Sequence, residues 1–248
     1  MREDSRSPSP QDAVRDPELR KRGHDEAASN GLVVALTLLH GVLGPDTVAG
    51  GVRGHVIAPV AVARTARRVW TGERYADLTP SRSSEAGPVL LDGSGLTTLR
   101  WEPPQSAGRP HAAGPRDWDG WWGTALAWVR LGHSRQLFGL AAAHLGQRTF
   151  SGSPLLQQQM VKGTVADATV EHLEIESALV AVGSDALSGT GLRHWHDRLT
   201  EVDRMLLRLL GARGYAAAGP ARAAYASELL CDVYVRPHGG YAAVGGEL

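Results

Sequence analysis

The sequence predicts a mainly α chain that ends in an antiparallel four-helix bundle and begins with a small, reduced α+β segment. Two observations come from periodicity. Val161, Val165, Ala168, His172, Ile175, Leu179 and Val182 recur at spacings that alternate between four and three, and Leu192, Trp195, Leu199, Val202, Leu206 and Leu209 repeat the pattern. Each run paints one face of a helix that must be buried against something. The third observation is punctuation. Between residues 148 and 159 stand Gly152, which supplies a turn conformation, and Pro154, which presets a first helical turn with Ser153 as its N-cap. Two striped helices need partners, and the stretches 117 to 147 and 220 to 235 supply them, with a glycine break at Gly211 to Gly219.

Taken in order, residues 1 to 29 are polar and charged with Ser-Pro repeats, and read as a disordered tail. Residues 30 to 101 form a reduced, β-containing region. Within it, Leu32 to Leu39 is apolar on all sides, so periodicity does not choose between helix and strand, and the helix is favoured. Val89 to Leu99 reads as a hairpin turning at Asp92-Gly93. Residues 102 to 116, rich in Pro, Gly and Ala, read as a linker, and 117 to 248 as the four-helix domain. The tryptophans Trp118, Trp121, Trp122 and Trp128 cluster at the start of that domain, as core or as an interface anchor.

Composition narrows the function classes. A chain of 248 residues with 42% hydrophobic content is long enough to bury a core. Its 26 basic and 26 acidic residues balance, giving no electrostatic case for nucleic acid or a membrane surface. Lys21 and Lys162 are the only lysines, a bias of high-GC bacterial coding. The single Cys231 excludes an internal disulfide and a Cys-rich metal site, and its apolar neighbours make it a packed thiol. With no signal-peptide core and no apolar run of membrane-spanning length, the expectation is a cytoplasmic protein.

The segment Arg148-Thr149-Phe150-Ser151-Gly152-Ser153-Pro154-Leu155-Leu156-Gln157-Gln158-Gln159 fits the pattern Arg-x-x-x-Gly-x-Pro-Leu-x-x-x-Gln. It resembles, without gaps, the loop between the first two long helices of the C-terminal domain of acyl-CoA dehydrogenases. The usual Phe before the Gly is Ser151 here. Leu131-Gly132 upstream and Gly211-Ala212-Arg213-Gly214-Tyr215 downstream extend the resemblance over about residues 117 to 236. Ala212 replaces a family Gly and Arg208 a family Gln.

That resemblance implies a four-helix domain of acyl-CoA dehydrogenase type and contacts to FAD, in a site that a partner subunit can share. The implied cofactor residues are Arg148, Ser151, Gln159, Gly211 and Gly214, with the Arg148 fork suited to a diphosphate. It also implies proton removal alpha to a thioester carbonyl by a Glu, whose two usual positions fall near Gly240 and on Trp122. Neither position holds an acid, and Asp119, three residues before Trp122 and near its helical face, is the only nearby substitute. A helix-start Asp facing solvent is its plainer role. The family's middle-domain signature, a Thr-Glu-Pro followed by Gly-Ser-Asp, does not occur in the sequence: it has no Thr-Glu-Pro.

Competing chemistry finds less support. Asp167, Glu171 and Glu174 share a helix face without the Glu-x-x-His pairs of a di-iron bundle, and read as a solvated acidic face. His194 and His196, two apart, point apart on a helix. His172 reads as a hydrogen-bonded core or interface histidine. No phosphate loop and no Gly-x-Ser-x-Gly elbow occurs. The favoured reading is a subunit of an FAD-dependent acyl-thioester dehydrogenase, on acyl-CoA or acyl carrier protein, completed by a longer partner of the same kind. The alternatives are a non-catalytic structural subunit of a homo- or hetero-oligomer, and a catalyst with altered, non-oxidative chemistry.

Overall fold

The computed structural model describes residues 9–51, 54–72, 74–78, 91, 93–101, 117–183, 185, 187, 189–216 and 219–235. The linker 102 to 116 lies outside them.

The N-terminal expectation is corrected first. Instead of a tail, helices α1 (Pro10–Arg15) and α2 (Pro17–Asn30) run through most of residues 9 to 30. Ser9 and Asp16 cap them by accepting from the amides of Asp12 and Glu18, and each cap is followed by proline. The buried face of α2 is Leu19, Arg20, Gly23, His24 and Ala27, too small and polar to register as an apolar stripe. It packs where a Cβ on Gly132 would fall 2.1 Å from the His24 carbonyl oxygen, so the two helix backbones nearly touch. Arg20 then reaches the carbonyls of Gly183 (2.7 Å) and Asp185 (3.2 Å), tying this segment to the far side of the bundle.

Gly31, at φ +85, bends the chain from α2 into α3 (Leu32–Gly41), which resolves the apolar run as a helix. Short strands follow: β1 (Thr47–Ala49), β2 (His55–Pro59), β3 (Arg68–Trp70), β4 (Tyr75–Asp77) and β5 (Leu96–Arg100), with helix α4 (Val60–Thr65) between β2 and β3. β3 pairs parallel to β1 and antiparallel to β4, and β2 pairs antiparallel to β5 with Ile57 opposite Thr98. The expected hairpin is therefore corrected. Its second arm is β5, but β5 pairs with β2; Val89, Leu90 and Asp92 lie outside the described residues. Strands this short need a support. Tyr234 provides one, its hydroxyl accepting from the Ile57 amide (3.1 Å) and facing the carbonyls of Ile57 (3.1 Å) and Ala49 (3.3 Å).

The bundle consists of α5 (Asp117–Gln147), α6 (Gln159–Val182), α7 (Gly189–Leu210) and α8 (Ala221–Tyr234). Contacts fix its sense. Going along α5, Gly123 meets Leu192 and Val235, Arg130 meets His196, Thr200 and Ser227, Ser134 meets His172, and Leu137 clusters with Leu206, Leu210 and Ala224. Thus α7 runs with α5 while α6 and α8 run against it, the antiparallel bundle the stripes predict.

One detail at the α5–α6 junction is also corrected. Ser153 does not cap a helix: Thr149–Phe150 (β6) and Ser153–Pro154 (β7) form a minimal hairpin turning at Ser151 and Gly152, both at positive φ (51 and 79). A two-residue turn of that hand fits the twist of paired strands. Leu155–Gln157 make a 3-10 turn, and α6 starts at Gln159 behind Gln158.

Candidate functional site

One end of the bundle gathers the last turns of α5, the first turn of α6, the last turn of α7 and the start of α8. Arg148 follows α5 directly and is exposed, as are Ser151 in the hairpin turn and Gln159 at the first position of α6. Gly211, exposed at φ +55, and Gly214, buried, lie in the 3-10 turn that leaves α7. Two loops more than fifty residues apart in sequence thus lie at the same end of the bundle because α5 and α7 run parallel. Their local chemistry differs. Arg148 accepts the Leu155 amide at 2.7 Å on its carbonyl, which closes the hairpin and leaves its guanidinium outside. At Gly219 an added Cβ would lie 2.7 to 2.8 Å from the carbonyls of Gly214, Ala216 and Arg213, so the second loop closes only around glycine.

A cavity of about 600 Å³ opens between α5 and the second loop, floored by His133, Leu137, Leu140 and His144 of α5 and rimmed by Gln147 and Arg213; Arg148, Ser151 and Gln159 do not line it. The floor was legible in sequence, since 133, 137, 140, 144 and 147 alternate spacings of four and three. The apolar stripes on the later helices masked it. His133 is only 2% exposed, and neither ring nitrogen completes a hydrogen bond of full geometry, the Gln136 amide being the nearest to doing so. Burial, reinforced by the Arg130 cation, depresses its pKa to about 4, so the ring is neutral at pH 7. The cavity offers the exposed Arg213 guanidinium, the Gln136 and Gln147 side-chain amides and a neutral imidazole beside an apolar floor.

The opposite half of the bundle is filled. Trp122 is 1% exposed and packs edge-on against His40 (5.3 Å) and Tyr234 (6.0 Å). Asp119 lies in the first turn of α5, and its side chain, like that of Trp118, is outside the described residues. Trp121 and Trp128 are core contacts of the N-terminal helices, through Arg15 over Trp121 (4.5 Å) and His24 against Trp128 (6.0 Å).

Between the two ends runs a buried polar chain. Arg130, fully buried, donates to Ser227 (2.9 Å), Thr200 (2.8 Å) and the His196 carbonyl (3.1 Å), and meets His196 Nδ1 at 2.9 Å. His172 shares a hydrogen bond with Ser134 at 2.8 Å, the core role its stripe position implies. Asp203 sits among these groups. Burial raises its pKa to about 6 against the opposing pull of Arg130, and the Ser134 and Ser227 hydroxyls approach its oxygens without full hydrogen-bond geometry. Glu171 and Glu174 are bound to Arg198, and no group of three or more metal-ligating side chains occurs among the described residues. Among the same residues no helix is long and apolar enough to cross a membrane.

No family model matches the sequence, and no curated protein matches it. Solved structures do. One, described as "Tcur3481-Tcur3483 steroid ACAD G363A variant", aligns over 86% of this chain and 74% of its own, at TM-score 0.52 and 18% identity. The chain has the acyl-CoA dehydrogenase fold. A second similar structure is FkbI, described as serving biosynthesis of the methoxymalonyl extender unit of the polyketide immunosuppressant Fk520, at TM-score 0.54 and 13% identity over 89% of this chain and 74% of that one. Identities this low establish shared architecture, and the chemistry must be argued from the residues.

Proposed function

We propose that this chain is a subunit of an FAD-dependent acyl-thioester dehydrogenase, lending flavin contacts to a site that a longer partner subunit of the same fold completes. The observation that supports the reading is that Arg148, Ser151 and Gln159 lie at the same end of the bundle as Gly211, Gly214 and a cavity rimmed by Arg213. The residues there suit a dinucleotide edge. Arg148 presents an exposed fork for a diphosphate and Gln159 an amide. A bound flavin supplies the hydride acceptor. This chain's part is to hold and orient, because Trp122, at a usual base position, has no proton-accepting group and is locked between His40 and Tyr234. Proton removal from the thioester then belongs to the partner. The steroid ACAD structure joins two protein names, Tcur3481 and Tcur3483, which accords with a two-part arrangement.

The decisive experiment is Arg148→Ala in the complex purified with its partner. Loss of a charge-assisted bidentate contact of about 1.5 to 3 kcal/mol lowers flavin affinity by about one to two orders of magnitude. The flavin-to-protein absorbance ratio falls, and Arg148→Lys restores part of it. Unchanged flavin content in a complex that dissociates would instead establish a structural subunit, the reading that the filled core at Trp122 favours.

A further inference from the structure

The cavity between α5 and the loop after α7 has a chemistry that the flavin contacts leave unused. From His133 to Gln147 its floor follows about 21 Å of α5. Leu137, Leu140 and Ala143 make that floor apolar, and Leu210, Pro220 and Ala223 line the other side. Leu140 is 50% exposed, so the floor stands open instead of being filled by the protein's own side chains. Polar groups gather at the Gln147 end. Arg213 is exposed, makes no ion pair among the described residues, and is the one permanent charge in the lining. His144, three residues before Gln147, is partly buried, and its buried Nε2 has no hydrogen-bond partner. The surrounding charge has a single sign. Residues 136–166 and 205–227, which build this end of the bundle, hold Arg148, Lys162, Arg208, Arg213 and Arg222 and no aspartate or glutamate, in a chain whose 26 basic and 26 acidic residues balance overall. Such a field draws anions.

We propose that this cavity binds a monocarboxylate with an apolar body, a free aliphatic acid of medium chain length, at Arg213, Gln147 and His144. A carboxylate is an acceptor on both oxygens. The Arg213 fork pairs with it, and the Gln147 amide and a proton on His144 Nε2 donate to the lone pairs that remain, which gives the unpartnered ring nitrogen its use. One negative charge meets one guanidinium. A diphosphate would bring more than one, and the lining holds no second permanent cation to meet it, because its remaining polar groups are His133, Gln136, His144 and Gln147. The body of the acid runs back along α5 over Leu140 and Leu137, so that burial of apolar surface drives binding while Arg213 selects the head. The size of the cavity, about 600 Å³, is that of a small-molecule site. Arg148, Ser151 and Gln159 do not line it, so the inference does not rest on the flavin reading.

The test is calorimetric titration of the purified full-length chain with decanoate, with decanol as the same body without the charge and acetate as the charge without the body. Decanoate should bind at one site per chain, at least about tenfold more tightly than decanol, and acetate should give no heat in the same range. Arg213→Gln, in an exposed turn, should weaken decanoate by about tenfold or more with an unchanged far-UV circular dichroism spectrum, and Ala143→Trp, which fills the floor, should abolish binding. Lys162→Gln removes a cation of the same end that does not line the cavity and should leave the affinity as it was. ADP and FAD should not displace decanoate. The inference is overturned by no binding up to about 1 mM, by decanol binding as well as decanoate, by an Arg213→Gln or Ala143→Trp variant that keeps the affinity, or by an equal loss in Lys162→Gln. Displacement by ADP would overturn it too and mark the cavity as a flavin edge, whereas failure of the flavin reading at Arg148 leaves decanoate binding in place.

Discussion

Acidification should unfold this protein over a narrow range, and His40 isolates the cause. His40 is fully buried, its Nδ1 on the Leu36 carbonyl at 2.8 Å and its ring against Trp122. Burial depresses its pKa to about 4, with the Leu36 contact opposing only in part. His133 and His172 are depressed to about 4 as well, by burial first and then by Arg130 and Arg135 respectively. A histidine whose pKa is lowered by folding contributes stability that is complete above its unfolded value of 6.5 and is lost as pH falls toward its folded value. At 1.36 kcal/mol per unit, each contributes about 3 kcal/mol. Asp203 opposes this. Its folded pKa of about 6 exceeds the unfolded 3.8, so its contribution of about 3 kcal/mol is complete below 3.8 and lost as pH rises through 6. Near pH 5 the balance is a net uptake of about two protons on unfolding, a slope of about 3 kcal/mol per pH unit. Across pH 6.5 to 4 the loss reaches the order of a whole domain's stability. Urea midpoints measured every half unit from pH 7 to 4.5 should fall along that slope. His40→Gln, which keeps a donor for Leu36 and cannot titrate, should flatten it by about one proton, roughly 1.4 kcal/mol per unit. A midpoint independent of pH in this range, or an unaltered slope in His40→Gln, refutes the reasoning.

Arg130→Met removes the cation facing buried Asp203 and should cost about 3 to 5 kcal/mol in urea unfolding, most of it recovered when Asp203→Leu is added, because the penalty is that of a buried carboxylate without its counter-charge. Gly132→Ala drives a methyl into the His24 carbonyl and should lower stability by at least about 1 to 3 kcal/mol, with new protease sensitivity confined to residues 9 to 30; equal protection of that segment would show that α2 docks elsewhere. The chain alone, given FAD and an artificial electron acceptor, should not dehydrogenate a thioester, and turnover that vanishes on Asp119→Ala would make Asp119 the base after all.

The sequence by itself determined the bundle. Long stripes such as Val161 to Val182 and Leu192 to Leu209 are read reliably because the helix repeat is local and the core is apolar. It determined too that a tryptophan, Trp122, stands at a position where the family resemblance implies a base, since residue identity is local information. The stripe of α7 shows the limit of this. Its buried face also takes in His196, Thr200 and Asp203, polar residues whose place inside depends on Arg130 from another helix. The N-terminal helices escaped for the same reason. Gly23 and His24 read as polar chain until Gly132 on α5 offers a surface close enough for backbone contact. Strand β5 was legible as a strand, but its partner β2, some forty residues earlier, was not, because short strands carry no mark of whom they pair with. Only the tertiary structure decided that Arg148 and Gly211 share one end of the molecule. That neighbourhood follows from the parallel run of α5 and α7, which packing fixes and no local pattern encodes.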